Sequence, residues 1–183
     1  MLTTLSGLLY IAGFVPYIVA ILRGKATPQK STWIVWSTLD LAALTAEMVS
    51  GHTSGTIIAG TVGASIVAIL ALIKGDKGWT KLDRFCLSSA VVGIVLWQLT
   101  NNENVGLIIT LVVMLIATSA TLRSAWKNPA DENLLAWLLY VSGCVFGLLS
   151  VSQLTISTAA QPIVFTLIDG SVTAVILLRR YLR

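Results

Sequence analysis

Residues 22–30 read Leu22-Arg23-Gly24-Lys25-Ala26-Thr27-Pro28-Gln29-Lys30, a short basic connection between two long apolar blocks. Segments of this kind recur along the chain. All twelve Lys and Arg residues fall in four places: Arg23, Lys25 and Lys30; Lys74, Lys77, Lys81 and Arg84; Arg123 and Lys127; Arg179, Arg180 and Arg183. The other connections, near 51–55, 100–104 and 151–158, carry none, and neither does the tail before the first apolar block. Cytoplasmic loops of membrane proteins are enriched in Lys and Arg, so this alternation predicts a topology. Seven crossings are expected, with the N-terminus outside and the C-terminus cytoplasmic.

Composition agrees. Mean hydropathy is +0.86, 56% of residues are apolar and 11% are charged, too few charges to solvate the surface of a soluble domain. Crossing about 30 Å of hydrocarbon takes about 20 helical residues. The spans are read at roughly 3–22, 32–50, 56–73, 84–99, 104–122, 133–150 and 159–178. They nearly exhaust 183 residues, which leaves no room for an extramembrane domain. The expected setting is a plasma or bacterial cytoplasmic membrane, with the lipid bilayer as a partner. The net charge of +4 marks the cytoplasmic face, and nucleic acid is not expected as a partner. The N-terminal tail lacks the positive charge of a cleavable signal, so the first block is read as a span. Cys86 and Cys144 fall within spans 4 and 6 and read as small buried hydrophobes. Neither a disulfide framework nor a metal site is expected.

An internal repeat organises the spans. Leu22-Arg23 is followed by Pro28 and, eight residues later, by Trp36; Leu122-Arg123 is followed by Pro129 and, again eight residues later, by Trp137. Gly170-Ser171 in span 7 pairs with Gly63-Ala64 in span 3. The expected fold is therefore all-α, with seven transmembrane helices arranged as two parallel three-helix bundles. The first unit covers 1–74, a linker helix with its loops covers 75–103, and the second unit covers 104–183. Parallel repeats related by an axis along the membrane normal are a transporter architecture, with the substrate site at their interface near mid-membrane.

Pro28-Gln29, where the first basic loop enters span 2, resembles the PQ-loop motif, and three spans, a linker and three spans is the layout of the SWEET and PQ-loop transporters. The resemblance implies hinge roles for Pro16, Pro28, Gln29 and Pro129. The fourth hinge proline of the pattern is replaced by Ile116 or Ala117, and the second Pro-Gln by Pro129-Ala130. Where SWEET relatives place a mid-membrane Asn pair, this chain has Asp169 in span 7 and Val62 or Gly63 in span 3. That departure points away from sugars, toward the proton-coupled PQ-loop branch, whose substrates include amino acids such as cystine.

Asp40 in span 2 and Asp169 in span 7 are the strongest chemical signals. An Asp at the centre of a membrane helix costs about 2.5–3.5 kcal/mol on insertion scales and is usually functional. At about 1.5 Å per residue, both lie some 12–15 Å from the cytoplasmic ends of their helices, near mid-membrane. No Lys, Arg or His lies within a span to pair with them. They are candidates to share a proton, to bind a cation such as sodium, to meet a cationic group of the substrate, or simply to sit protonated against a neighbouring helix.

Trp33, Trp36, Asp40 and Glu47 fall on one face of span 2, flanked by Ser37. Trp36 is read as pocket lining, Trp33 as an interfacial anchor of the aromatic belt, and Glu47 as functional or solvated. Trp137, Tyr140 and Cys144 repeat this face on span 6, with Val141 where the first unit has Asp40. Pro162, Thr166, Asp169 and Thr173 form a polar stripe on span 7, although threonine hydroxyls in membrane helices often bond back to their own backbone. Thr56, Gly60, Ala64 and Ala68 in span 3 are spaced for close helix packing inside the first unit, with dimerisation as a minor alternative. Pro16, with Gly13 nearby, interrupts the hydrogen-bond ladder of span 1. His52 reads as a solvated loop residue.

No GxSxG, HExxH, Walker or CxxC pattern is present, and neither enzymatic activity nor a cofactor is expected. The expected function is transport of a small polar solute, a sugar, amino acid or similar, by alternating access, with proton coupling as one option. The substrate-binding candidates are Trp36, Asp40, Trp137, Tyr140, Thr166 and Asp169, with Asp169 and Asp40 as coupling candidates. A non-transporting seven-helix receptor or interaction protein on the same scaffold is the alternative, and homo-oligomerisation stays open. The topology has a direct test: impermeant thiol reagents added from outside should label single cysteines placed at Ser54, Asn102 and Ser157 and should miss those at Lys77 and Lys127. Labelling of the basic loops from outside would overturn the seven-span reading.

Overall fold

The chain leaves its first helix through a turn that only glycine makes without strain. Gly24 has φ 67°, its N–H donates to Ile21 O at 3.0 Å, and the N–H of Lys25 donates to Ala20 O at 2.8 Å. This is the paired C-terminal cap that satisfies the last free carbonyls of a helix. Lys74 Nζ adds a bond to Leu22 O at 2.8 Å. The helix so ended is α1, Leu2–Leu22. It is followed by α2 (Lys30–Ser50), α3 (Gly55–Lys74), α4 (Lys81–Leu99), α5 (Glu103–Lys127), a short 3₁₀ turn at Pro129–Asp131, α6 (Leu134–Leu149) and α7 (Ile156–Tyr181). This computed structural model describes residues 1–50, 55–100 and 102–182, without the side chains of 46, 47, 49, 50, 55, 56 and 59. Glu47, His52, Ser54 and Thr56 from the sequence reading thus lie outside the described residues or side chains.

Local caps account for the other starts. Thr80 and Asp83 form a reciprocal capping box on α4, Asn102 accepts from the N–H groups of Asn104 and Val105 at α5, and Asn133 accepts from Ala136 N–H at α6. Such side chains stand in for helical partners that the first N–H groups lack. α5 runs past its expected end near 122, so Arg123 and Lys127 lie in the helix rather than in a loop. The extension is held at its exposed end: the Arg179 guanidinium lies 5.0 Å from the Trp126 ring centroid and donates to Trp126 O at 2.8 Å.

Four helices, α1, α4, α5 and α7, are long and apolar enough to cross a membrane. Apolar side chains also face outward in helical rows. Leu8, Val15 and Leu22 of α1, Val62, Ile66, Ile69 and Ile73 of α3, and Val91, Val95 and Leu99 of α4 are all exposed. Contiguous apolar surface on this scale is rare on a soluble monomer.

Packing follows a regular pattern. Helix α3 touches α1 and α2; helix α7 touches α5 and α6; α1 lies against α6, and α2 against α5. Exchanging α1 with α5, α2 with α6 and α3 with α7 maps each of these contacts onto another. Helix α4 stands outside the pattern and packs on α2 and α5. The α2–α5 seam is polar: Thr32 Oγ1 donates to Ala117 O at 2.7 Å, Thr121 Oγ1 to Thr32 Oγ1 at 3.0 Å, and Trp36 Nε1 to Met114 O at 3.3 Å. The α1–α6 seam instead relies on glycine. A Cβ at Gly143 would lie 2.9 Å from Tyr10 N and 3.0 Å from Ser6 O, both backbone atoms, and Ser6 Oγ reaches Gly143 O at 2.7 Å.

The small-residue stripe of α3 differs from expectation. Ala64 and Ala68 are buried, but a Cβ at Gly60 would meet nothing within 4 Å. The close approach is at Gly63, where a Cβ would come 2.6 Å from the Phe14 ring of α1. Since the Gly143 contact is with backbone, Gly143→Ala should force α1 and α6 apart and lower stability by about 1–3 kcal/mol. Gly60→Ala should be neutral or slightly stabilising. Melting of the two variants in detergent should separate them clearly, and equal melting temperatures would refute the backbone contact.

Candidate functional site

A cavity of about 580 Å³ lies between the helices at the end away from the basic segments. Its mouth is edged by small polar side chains, among them Thr3, Ser6, Ser150, Ser157, Thr158 and Gln161. Deeper in, Tyr10, Asp40, Met114, Cys144 and Phe165 line it. Below is a chamber of about 20 Å³ that shares Tyr10, Asp40, Met114 and Phe165 with the cavity and adds Phe14, Trp33, Trp36, Ile168 and Asp169. The two aspartates, far apart in the chain, thus line one chamber. Asp40 is half-buried and its carbonyl accepts from Thr61 Oγ1 at 3.3 Å. Asp169 is buried, and its Oδ2 accepts from the Cys144 thiol at 3.2 Å.

Cys144 is therefore more than the small hydrophobe read from its span: it lines the cavity and holds one carboxylate. Cys86 is fully buried, with its thiol 3.5 Å from Ile116 O. Trp36 lines the chamber. Trp137 and Tyr140 lie beneath it in the aromatic core. Thr166 and Thr173 both bond back to their own helix, to Pro162 O and Asp169 O at 2.7 Å each. Trp33 departs from its reading as an interfacial anchor: it is 2% exposed and packs edge-on to Phe14 and Trp36. Two of the exposed aromatics at the basic end, Trp79 and Trp126, each lie beside a cation, Lys30 or Arg179.

From the chamber to the basic end, the core is a stack of aromatic rings. Tyr10, Phe14 and Tyr17 of α1, Trp33 and Trp36 of α2, and Trp137 and Tyr140 of α6 touch at centroid distances of 5.1–6.5 Å. Spacings of three and four residues put each helix's contributors on one face. Edge-to-face pairs of this kind add about 0.5–1.5 kcal/mol each beyond the area they bury.

The stack ends on a residue that sequence reasoning passed over. Glu132, just before α6, is 1% exposed. Its Oε2 accepts from Tyr17 Oη and from Trp137 Nε1, both at 2.8 Å, so one carboxyl joins α1 to α6. Its main-chain carbonyl accepts from Arg180 Nη2 of α7 at 2.9 Å. Beside it, Thr27 N–H donates to Asp131 O at 2.7 Å, tying the loop that holds Pro28 to the turn that holds Pro129. On the other side of the same end, Gln29 Nε2 and Ser31 Oγ donate to Asp83 Oδ1 at 2.7 and 2.6 Å. Glu132 escaped notice because Asp131-Glu132 sits in a charged loop and looks solvated. The available signal was Glu132 five residues before Trp137, where a turn into a helix can fold the carboxyl back onto the indole.

No family model, curated protein or solved structure matches the chain.

Burial pushes the Glu132 carboxyl up to about 7, with the charges of Asp131 and Asp76 adding to the effect and the Trp137 and Tyr17 hydrogen bonds opposing it. Unfolded, the same group ionises near 4.5. The native state then binds this proton more tightly, so the stabilisation is complete below pH 4.5 and is lost as pH rises through about 7. Glu132→Gln keeps an acceptor for Tyr17 and Trp137 but does not titrate. Its melting temperature in detergent should decline less than the wild type's between pH 5 and pH 8, and parallel profiles would show that Glu132 does not govern that range.

Proposed function

We propose that this chain is a multi-pass membrane transporter that moves a small polar solute by alternating access. In this reading all seven helices cross the bilayer as two parallel three-helix units, residues 1–74 and 104–183, joined by the linker region 75–103. The N-terminus lies outside and the C-terminus in the cytoplasm. The observation that carries the reading is the asymmetry of the core along the helix axes. A cavity of about 580 Å³ occupies one end, and aromatic rings closed by Glu132 fill the other. Alternating access needs one end sealed while the other is open, and this arrangement fits the outward-facing half of such a cycle.

The exchange pattern of helix contacts supports the two units, since each contact in one has a counterpart in the other. Their interface is where parallel-repeat transporters bind substrate, and Asp40 and Asp169 lie there. Pro16 has no N–H to offer the carbonyl of Ala12, which leaves a weak rung in α1. Pro28 and Pro129 stand at the entrances to α2 and α6, and in this reading the three prolines, with Gln29, are the hinges. Such a layout resembles the SWEET and PQ-loop transporters.

Asp169 is the coupling residue in this reading. It is buried, its Oδ2 accepts from the Cys144 thiol, and no basic side chain among the described residues pairs with it. A carboxylate so placed takes up a proton before the carrier crosses between states. Asp169→Asn keeps shape and hydrogen-bonding capacity but cannot exchange a proton. In proteoliposomes it should abolish pH-driven accumulation while preserving solute exchange. Uphill, pH-dependent uptake that survives intact in Asp169→Asn would reduce this aspartate to a packed hydrogen-bonding group.

A further inference from the structure

The charge balance of the cavity narrows the class of solute. Asp40 lines both the cavity and the chamber, and Asp169 lines the chamber alone. Among the described lining residues there is no Lys, Arg or His. The Lys and Arg residues among the described residues belong to the basic segments at the opposite end, and the chain's one histidine, His52, lies outside the described residues. The remaining polar groups near the mouth are hydroxyls and amides, which carry no compensating charge. Tyr10 and Phe165 line both spaces together with Asp40, and Trp36 lines the chamber.

Three solute classes meet this lining differently. An anion or a zwitterion brings a carboxylate into a site that already holds two carboxyl groups and no cation to receive it, which adds repulsion at low dielectric. A neutral polyol leaves the imbalance untouched. A cation offsets it, and the faces of aromatic rings attract cations within about 6 Å of their centroids. Resting on the transporter reading for its biological use, the inference concerns the same cavity: we infer that the solute is an organic cation without an anionic group, a quaternary or protonated amine whose charged head sits against Asp40, Tyr10 and Phe165. Asp169, deeper and already engaged by Cys144, stays free for the proton.

Equilibrium binding to the purified full-length protein tests this apart from transport. The probes are choline and benzyltrimethylammonium as cations, 3,3-dimethylbutanol as the neutral isostere of choline, glycine betaine as its zwitterionic analogue, and glucose as a neutral polyol. At least one cation should bind, and each neutral or zwitterionic probe should bind more weakly by roughly tenfold or more, the scale of a desolvated cation–aromatic contact. Asp40→Asn should weaken cation binding by a similar factor. Phe165→Leu, which keeps apolar bulk at a half-buried position, should weaken the cation and leave the neutral isostere unchanged, and it keeps the test decisive if Asp40→Asn does not fold. Binding of the isostere, betaine or glucose as tight as that of the cations would overturn the inference, as would absence of binding by both cations. Flux in proteoliposomes reads the other question: cations that bind with these dependences yet do not cross the bilayer would sink the transporter reading and leave the ligand class standing.

Discussion

One buried carboxyl holds the basic end of this protein shut. Glu132 Oε2 receives the Tyr17 hydroxyl and the Trp137 indole together, and above them the aromatic rings stack at centroid distances of 5.1–6.5 Å. Remove that acceptor and two buried donors lose their partner, each at about 1–3 kcal/mol. The clasp is nevertheless incomplete. Glu132 Oε1 and the Tyr140 hydroxyl are buried with no hydrogen-bond partner among the described residues. Unsatisfied polar atoms raise the energy of this arrangement. In the transporter reading, a seal that is strong in packing and imperfect in hydrogen bonding suits an end that opens during the cycle.

The two seams between the halves of the helix pattern differ in kind, and the difference bears on motion. Along α2–α5, Thr32, Thr121 and Trp36 make hydrogen bonds across the helices. Such bonds are short-ranged and directional, so they favour one register. Along α1–α6, Gly13 and Gly143 bring smooth helix surfaces together, with Tyr140 and the α1 backbone as their neighbours. Small residues allow close approach without interlocking. In the transporter reading, α2–α5 acts as the pivot, and α1–α6 slides only once the Ser6–Gly143 and Tyr17–Glu132 hydrogen bonds across it release.

At the basic end, Asp83 adds a second anchor. It caps α4 through Thr80 and accepts from Gln29 and Ser31 at the entrance to α2. The Pro28-Gln29 loop is thereby tied to α4 on one side and, through Thr27 and Asp131, to the Pro129 turn on the other. In the transporter reading Pro28 is a hinge, and both of its flanks are held by buried or main-chain hydrogen bonds.

Local chemistry was legible in the amino-acid order. The glycine cap after Arg23, the Asn and Thr caps of α4 to α6, and the apolar runs long enough to span could all be found there, because each depends on residues within a turn or two of one another. The shared depth of Asp40 and Asp169 also followed, since helical rise converts residue count directly into distance. Which helix covers which face did not follow. Periodicity placed Trp33 on the face of Trp36 and Asp40, but whether that face met lipid headgroups or other rings depended on α1 and α6 folding over it. Cys144 lies 25 residues from the aspartate it serves, and Glu132 lies 115 from the tyrosine that makes it a clasp. No pattern along the chain encodes those distances in space, so the burial of a charged loop residue was decided only when the helices packed.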